Sequence, residues 1–173
     1  MRKSLVFALI LLFPLALILT PVQGAEPPND IIKAPSCPLC GMDRHKFAFS
    51  RVFIEYGDGS TFGACSLHCA AIDMAVNIDK GPVKIWVGDY NTKGLIDAEE
   101  AFWVIGGKKM GVMTKRAKWG FGTKQAAEKF VQQFGGQLSN FEGAAKAAYE
   151  DMYQDTRMIR EKRKMKRMKM KKS

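Results

Sequence analysis

Two cysteine clusters carry the chemistry of this chain: Cys37-Pro-Leu-Cys40-Gly-Met42 and, 25 residues after Cys40, Cys65-Ser-Leu-His68-Cys69. They hold all four cysteines of the 173 residues. A thiol pair on a Pro/Gly turn, a thioether two residues on and a Cys-x-x-His-Cys set make a soft-donor inventory, suited to Cu(I) or Zn(II) rather than to hard cations. Met42 tilts the choice toward copper, because a thioether is a poor zinc ligand and a good Cu(I) ligand. In an extended strand residues 40 and 42 would share a face about 7 Å apart, so a turn through Gly41 is needed to bring both sulfurs to one ion.

Cys65 lies just before Ser66, a helix-capping residue, and Cys69 falls in the first turn, where the positive end of the helix dipole favours thiolate. His68 between them offers an imidazole that could replace or supplement a sulfur. The candidate metal ligands are therefore Cys37, Cys40, Met42, Cys65, His68 and Cys69. His45 stands further off, and Met110 with Met113 forms a spaced thioether pair that could supply a second copper contact. Three other readings use the same residues: a treble-clef-like structural zinc site, two disulfides in an exported protein, and thiol–disulfide exchange through Cys37 and Cys40. Against the last, that chemistry usually sets Cys-x-x-Cys at a helix N-terminus, whereas Pro38 and Gly41 before a strand favour a loop. The methionines have core packing as their alternative role.

The N-terminus bears on compartment. Met1-Arg2-Lys3, an apolar run from Leu5 to Leu19 and the small-residue site Val22-Gln23-Gly24 compose a secretory signal peptide over 1–24, with the mature chain expected to begin at Ala25 in the periplasm. No cysteine lies near Gly24, so a lipoprotein anchor is not expected. The formal charge of +10 is concentrated at the other end, where Arg157 to Ser173 holds ten Lys/Arg and one Glu. The body is close to neutral, which removes the case for a basic nucleic-acid groove. The tail itself, with Met165, Met168 and Met170 alternating with Lys, offers docking on an anionic membrane surface or on a partner.

The elements that must position the ligands read as α+β. A Pro-rich linker spans 25–36. Phe47 to Tyr56 alternates like a strand, Gly57-Asp58-Gly59 turns it, and Ser60 to Ala64 returns. A helix capped by Ser66 follows, stopped by Gly81-Pro82, and Val83 to Val87 is the next strand. Strands at Ala101 to Ile105 and Lys118 to Phe121 precede a helix capped by Thr123 and ended by Gly135-Gly136, then a strand from Gln137 to Phe141. Gly63-x-Cys65-Ser66-x-x-Cys69-Ala70 aligns with Gly120-x-Gly122-Thr123-x-x-Ala126-Ala127. The expectation is two ββα-type units sharing one core, at about 37–90 and 100–143, only the first with ligands. A helical to disordered tail is expected over 144–173, helical to about Arg163 and too charged to pack beyond it.

With these motifs in place, residues 36 to 143 resemble the NosL family of copper chaperones that serve nitrous oxide reductase. The resemblance rests on the export signal, CPLCGM before an aromatic-rich strand and Gly-Asp-Gly turn, Met-Gly-Val-Met, and Ala-Ala-Glu-Lys-Phe leading to Gly-Gly-Gln-Leu. It implies a carrier rather than an enzyme, holding Cu(I) through the Cys-x-Met pair, here Cys40 and Met42, and delivering it to an apo copper enzyme outside the cytoplasmic membrane. It also implies a fold of two ββα-type units related to that of organomercurial lyase. The chain departs from the pattern by lacking a lipidation cysteine, by the TRASH-like set Cys65, His68 and Cys69, and by its basic tail. No Ser/His/Asp arrangement, phosphate loop or paired-carboxylate site argues for hydrolysis or phosphoryl transfer.

Overall fold

The computed structural model describes residues 28–171. The expected export signal lies outside the described residues, as do the last two of the tail. A short helix α1 (Asp30–Lys33) is followed by β1 (Val52–Tyr56), β2 (Thr61–Ala64), α2 (Leu67–Val76), β3 (Pro82–Gly88) and β4 (Leu95–Asp97). The second half contains β5 (Phe102–Ile105), β6 (Lys118–Phe121), α3 (Lys124–Phe134), β7 (Gln137–Ser139) and the 30-residue helix α4 (Phe141–Met170). The class is α+β.

Each half sets a hairpin, a helix and a returning strand in the same order. The first sheet runs β2-β1-β3-β4 and the second β6-β5-β7, all antiparallel, so β1 and β3 are interior in the first and β5 is central in the second. Val52, Phe53 and Ile54 are fully enclosed, as a strand with neighbours on both edges and helices nearby must be. The sheets meet where Asp89 bridges to Gly120: Tyr90 N–H donates to the Gly120 carbonyl at 2.9 Å and Gly122 N–H donates to Asp89 Oδ2 at 2.6 Å. Around that seam Phe49, Tyr90, Trp119, Phe121 and Phe130 stack edge-to-face and tilted with centroids 4.9–6.0 Å apart, and one apolar core runs through both halves.

Several boundaries differ from the sequence expectation, each for a local reason. The strand expected from Phe47 begins only at Val52. Asp43 Oδ1 accepts from the N–H groups of His45 and Lys46, and Phe47 and Arg51 donate back to Asp43 and Phe47 carbonyls, so 43–51 is a run of turns. The strand expected to reach Phe141 stops at Ser139, because Asn140 caps α4, its side chain accepting from Gly143 N–H at 3.0 Å. Part of the expected linker is instead α1, whose Asp30 is buried.

The largest difference concerns the tail. The helix expected from Ala144 starts at Phe141 and continues to Met170, through the Lys/Met stretch for which disorder was expected. Its first half docks Phe141, Ala144, Ala147 and Ala148 into the core against α2 and β5. Beyond Ile159 every described residue is exposed. There the helix rests on good helix formers, on an Arg157–Glu161 pair at 3.1 Å one turn apart, and on Arg167 and Lys169 at the negative end of the dipole.

Candidate metal centre

The first ligand arm is the loop Cys37 to Met42. Cys37 N–H donates to the Met42 carbonyl at 2.9 Å and Gly41 N–H to the Cys37 carbonyl at 2.8 Å. Gly41 sits at φ +75°, a conformation that costs a side chain about 1 kcal/mol or more and costs glycine nothing. The second arm is the end of β2 and the first turn of α2, carrying Cys65 and Cys69.

The two arms are fixed to each other by Arg44, which sequence reasoning missed. Its side chain is wholly buried, donating from Nε to the Ala64 carbonyl at 3.0 Å and from the guanidinium to the Ala34, Asp30 and Val52 carbonyls and to Asp30 Oδ2 at 2.6 Å. Asp30 also takes the Arg51 guanidinium, Nε at 2.8 Å. A buried arginine is tolerated only when its donors are all met, and here the partners come from both sides of the loop. A Cβ at Gly63 would lie 2.5 Å from Ala34 Cβ and 2.8 Å from the Arg44 guanidinium, so a glycine must stand beside it. The only sequence signal was an unexplained charge next to the ligand motif.

This frame brings the four sulfurs of Cys37, Cys40, Cys65 and Cys69 within 4.8 Å of one another. Cys40 and Cys65 are 3.4 Å apart, Cys65 and Cys69 3.8 Å, and Cys69 and Cys40 4.0 Å. All four are free thiols, too far apart for S–S bonds. A tetrahedral ion with metal–sulfur bonds of about 2.3 Å has sulfur–sulfur edges of about 3.8 Å, so the donor set fits one soft ion. Cys37, Cys65 and Cys69 are buried and Cys40 is half-buried.

The thiols divide by their hydrogen bonds. Cys37 is held well below the ordinary thiol range by hydrogen bonds from Cys40, then Cys65 and Cys69. Cys40, raised by Cys37 but lowered more by Cys65 and Cys69, ends at about 7. Cys65 and Cys69 are pushed up by their contacts to Cys37 and Cys40, with burial adding to the rise.

The remaining sequence candidates are placed differently. His68 is 2% exposed, with Nδ1 3.5 Å from Asp155 Oδ2 on α4, and neither atom has a hydrogen-bond partner. Burial lowers its pKa, with Asp155 opposing. The converging ligand atoms are the four sulfurs. Met42 is partly buried and lines a groove of about 430 Å³ with Phe47, Met110, Met113 and Met158. Met113 also borders a smaller pocket of about 180 Å³ that reaches Cys40, His68 and Cys69, walled by Ile159, Arg160 and Arg163 of α4. His45 is exposed, and so are Met110, Met165, Met168 and Met170.

A family model described as NosL matches residues 28–149, which include both ligand arms and both sheets. The chain belongs to the NosL family. The crystal structure of the copper chaperone NosL from Shewanella denitrificans aligns with a TM-score of 0.50 and 21% identity, covering 71% of this chain and 96% of that one. At that identity the likeness is one of fold. No curated protein matches the chain. The NosL match ends within α4, so Asp151, Asp155 and the arginines beyond them lie past it.

Proposed function

We propose that this NosL-family chain is an exported Cu(I) carrier, not an enzyme, which delivers copper outside the cytoplasmic membrane for assembly of a copper enzyme, nitrous oxide reductase being the client the family resemblance implies. The observation that carries the reading is the set of four free thiol sulfurs within 4.8 Å of one another, on a frame held by the Arg44 and Asp30 contacts. Copper is the cargo. Cys40 is the half-buried member and lines the smaller pocket together with Met113, so ligand exchange with an incoming donor proceeds from that side. Cys37, Cys65 and Cys69 retain the ion until exchange is complete. The expected export signal supports a periplasmic location, and the basic half of α4 offers a surface for an acidic partner or anionic membrane. Among the described residues no helix is long and apolar enough to cross a membrane.

Structural zinc is the second reading, favoured by sulfur spacings close to tetrahedral edges and by the pairing of a turn with a helix start. The two differ in what they ask of Met42. Titration of the reduced protein with Cu(I) against a competing chelator should show one tight site that weakens on Met42→Ala and is lost on Cys40→Ala. A Met42→Ala protein with undiminished Cu(I) affinity and an apo-protein that unfolds would instead assign zinc.

A further inference from the structure

The half of α4 that lies past the NosL match leans on the thiol site. Thr156, Ile159, Arg160 and Arg163 wall the pocket that reaches Cys40 and Cys69. Asp155, 1% exposed, faces His68, which lies between Cys65 and Cys69 in the chain, and its Oδ1 accepts from Lys115 N–H at 2.8 Å. Four thiolates around a single M(I) or M(II) ion leave a complex of charge −3 or −2. Enclosing such an anion is costly unless cations stand near it.

We propose that the second half of α4 is a charge-compensating cover for the metal–thiolate complex, with Arg160 and Arg163 as the residues that set how firmly the ion is retained. The inference rests on the metal-carrying reading above. Asp155, held by the Lys115 N–H and set 3.5 Å from His68, lies at the level of the ligands, and the next turns bring Arg160 and Arg163 to the pocket wall, where their charge lowers the energy of the loaded, anionic state. The cover therefore acts on metal affinity and on the rate of release, not on folding, since both arginines are exposed. A chain without this stretch would hold the same four sulfurs more loosely.

The test uses the full chain carrying Arg160→Glu with Arg163→Glu, and a control carrying Lys166→Glu with Lys169→Glu, which changes net charge equally but further along the helix. Each is loaded with Cu(I), and separately with Zn(II), and transfer to a chromophoric chelator is timed at low and at 1 M salt. Release from the arginine variant should be about tenfold faster than from the wild type at low salt, the gap closing at 1 M, while the lysine control stays near the wild type. A variant carrying Arg160→Lys with Arg163→Lys should keep most of the wild-type retention. Equal rates for arginine and lysine variants would overturn the cover, as would a gap unaffected by salt. A wild type that takes up neither ion would overturn the carrier reading itself, and circular dichroism of each variant identifies any loss of fold.

Discussion

The two halves of the molecule solve the same hairpin–helix junction in opposite ways. In the second half Gly122 and Thr123 lead into α3, and the Thr123 side chain accepts from Ala126 N–H at 3.3 Å, a conventional cap on a helix that buries one face through Ala127 and Phe130. In the first half the aligned positions are Cys65 and Ser66, and Ser66 makes no capping bond. Cys69 stands where Ala126 stands. Here α2 buries Leu67, His68, Cys69, Ala70, Ala71 and Asp73, because α4 covers the side that α3 leaves to solvent. One junction is built to hold a helix and the other to hold sulfurs, with packing from α4 replacing the missing cap.

The largest effect should come from breaking the ligand side of this contrast. Cys65→Ser removes a sulfur at the centre of the cluster and should abolish the tight metal site, while the apo-protein keeps its far-ultraviolet circular dichroism, since the core extends well beyond the thiols. Retention of one tightly bound ion by the variant would show that the cluster is not the site.

Next in size is the frame. Arg44→Met leaves the Asp30 carboxylate short of one cation and four carbonyls short of a donor, so unfolding free energy should fall by about 3–5 kcal/mol. Chemical denaturation of the apo-protein measures it. A loss below about 1 kcal/mol would mean that the arms are held without Arg44.

The smallest effect concerns the starts of the two helices. Thr123→Ala should cost about 1 kcal/mol and Ser66→Ala distinctly less, because only Thr123 caps through its side chain. Equal losses in the same denaturation experiment would remove the distinction between the two junctions.

What the sequence made legible follows from range. Local signals were sufficient for β6 over Lys118–Phe121, for the Thr123 cap, for the Gly57-Asp58-Gly59 turn and for the spacing of the cysteines, because each is decided within a few residues. The turns over 43–51 were not, since alternating aromatics imitate a strand while the Asp43 side chain captures the backbone instead. Arg44 with Asp30, and His68 with Asp155, join residues 14 and 87 positions apart, and no periodicity reports such pairs. The extent of α4 was hidden for another reason. Composition signals that a Lys/Met run has no core to pack against, but a helix already docked through Phe141 to Ala148 has passed its costly nucleation and propagates on propensity alone.

On the proposed reading, the four-thiol site carries copper as cargo on a scaffold that stands without it. The most direct test is the metal content of the protein recovered from the periplasm of copper-replete cells without added metal, followed by chelation and circular dichroism of the same sample. A copper carrier should give one copper per chain and an unchanged fold once the copper is removed. One zinc per chain, with unfolding when the chelator takes it, would contradict it.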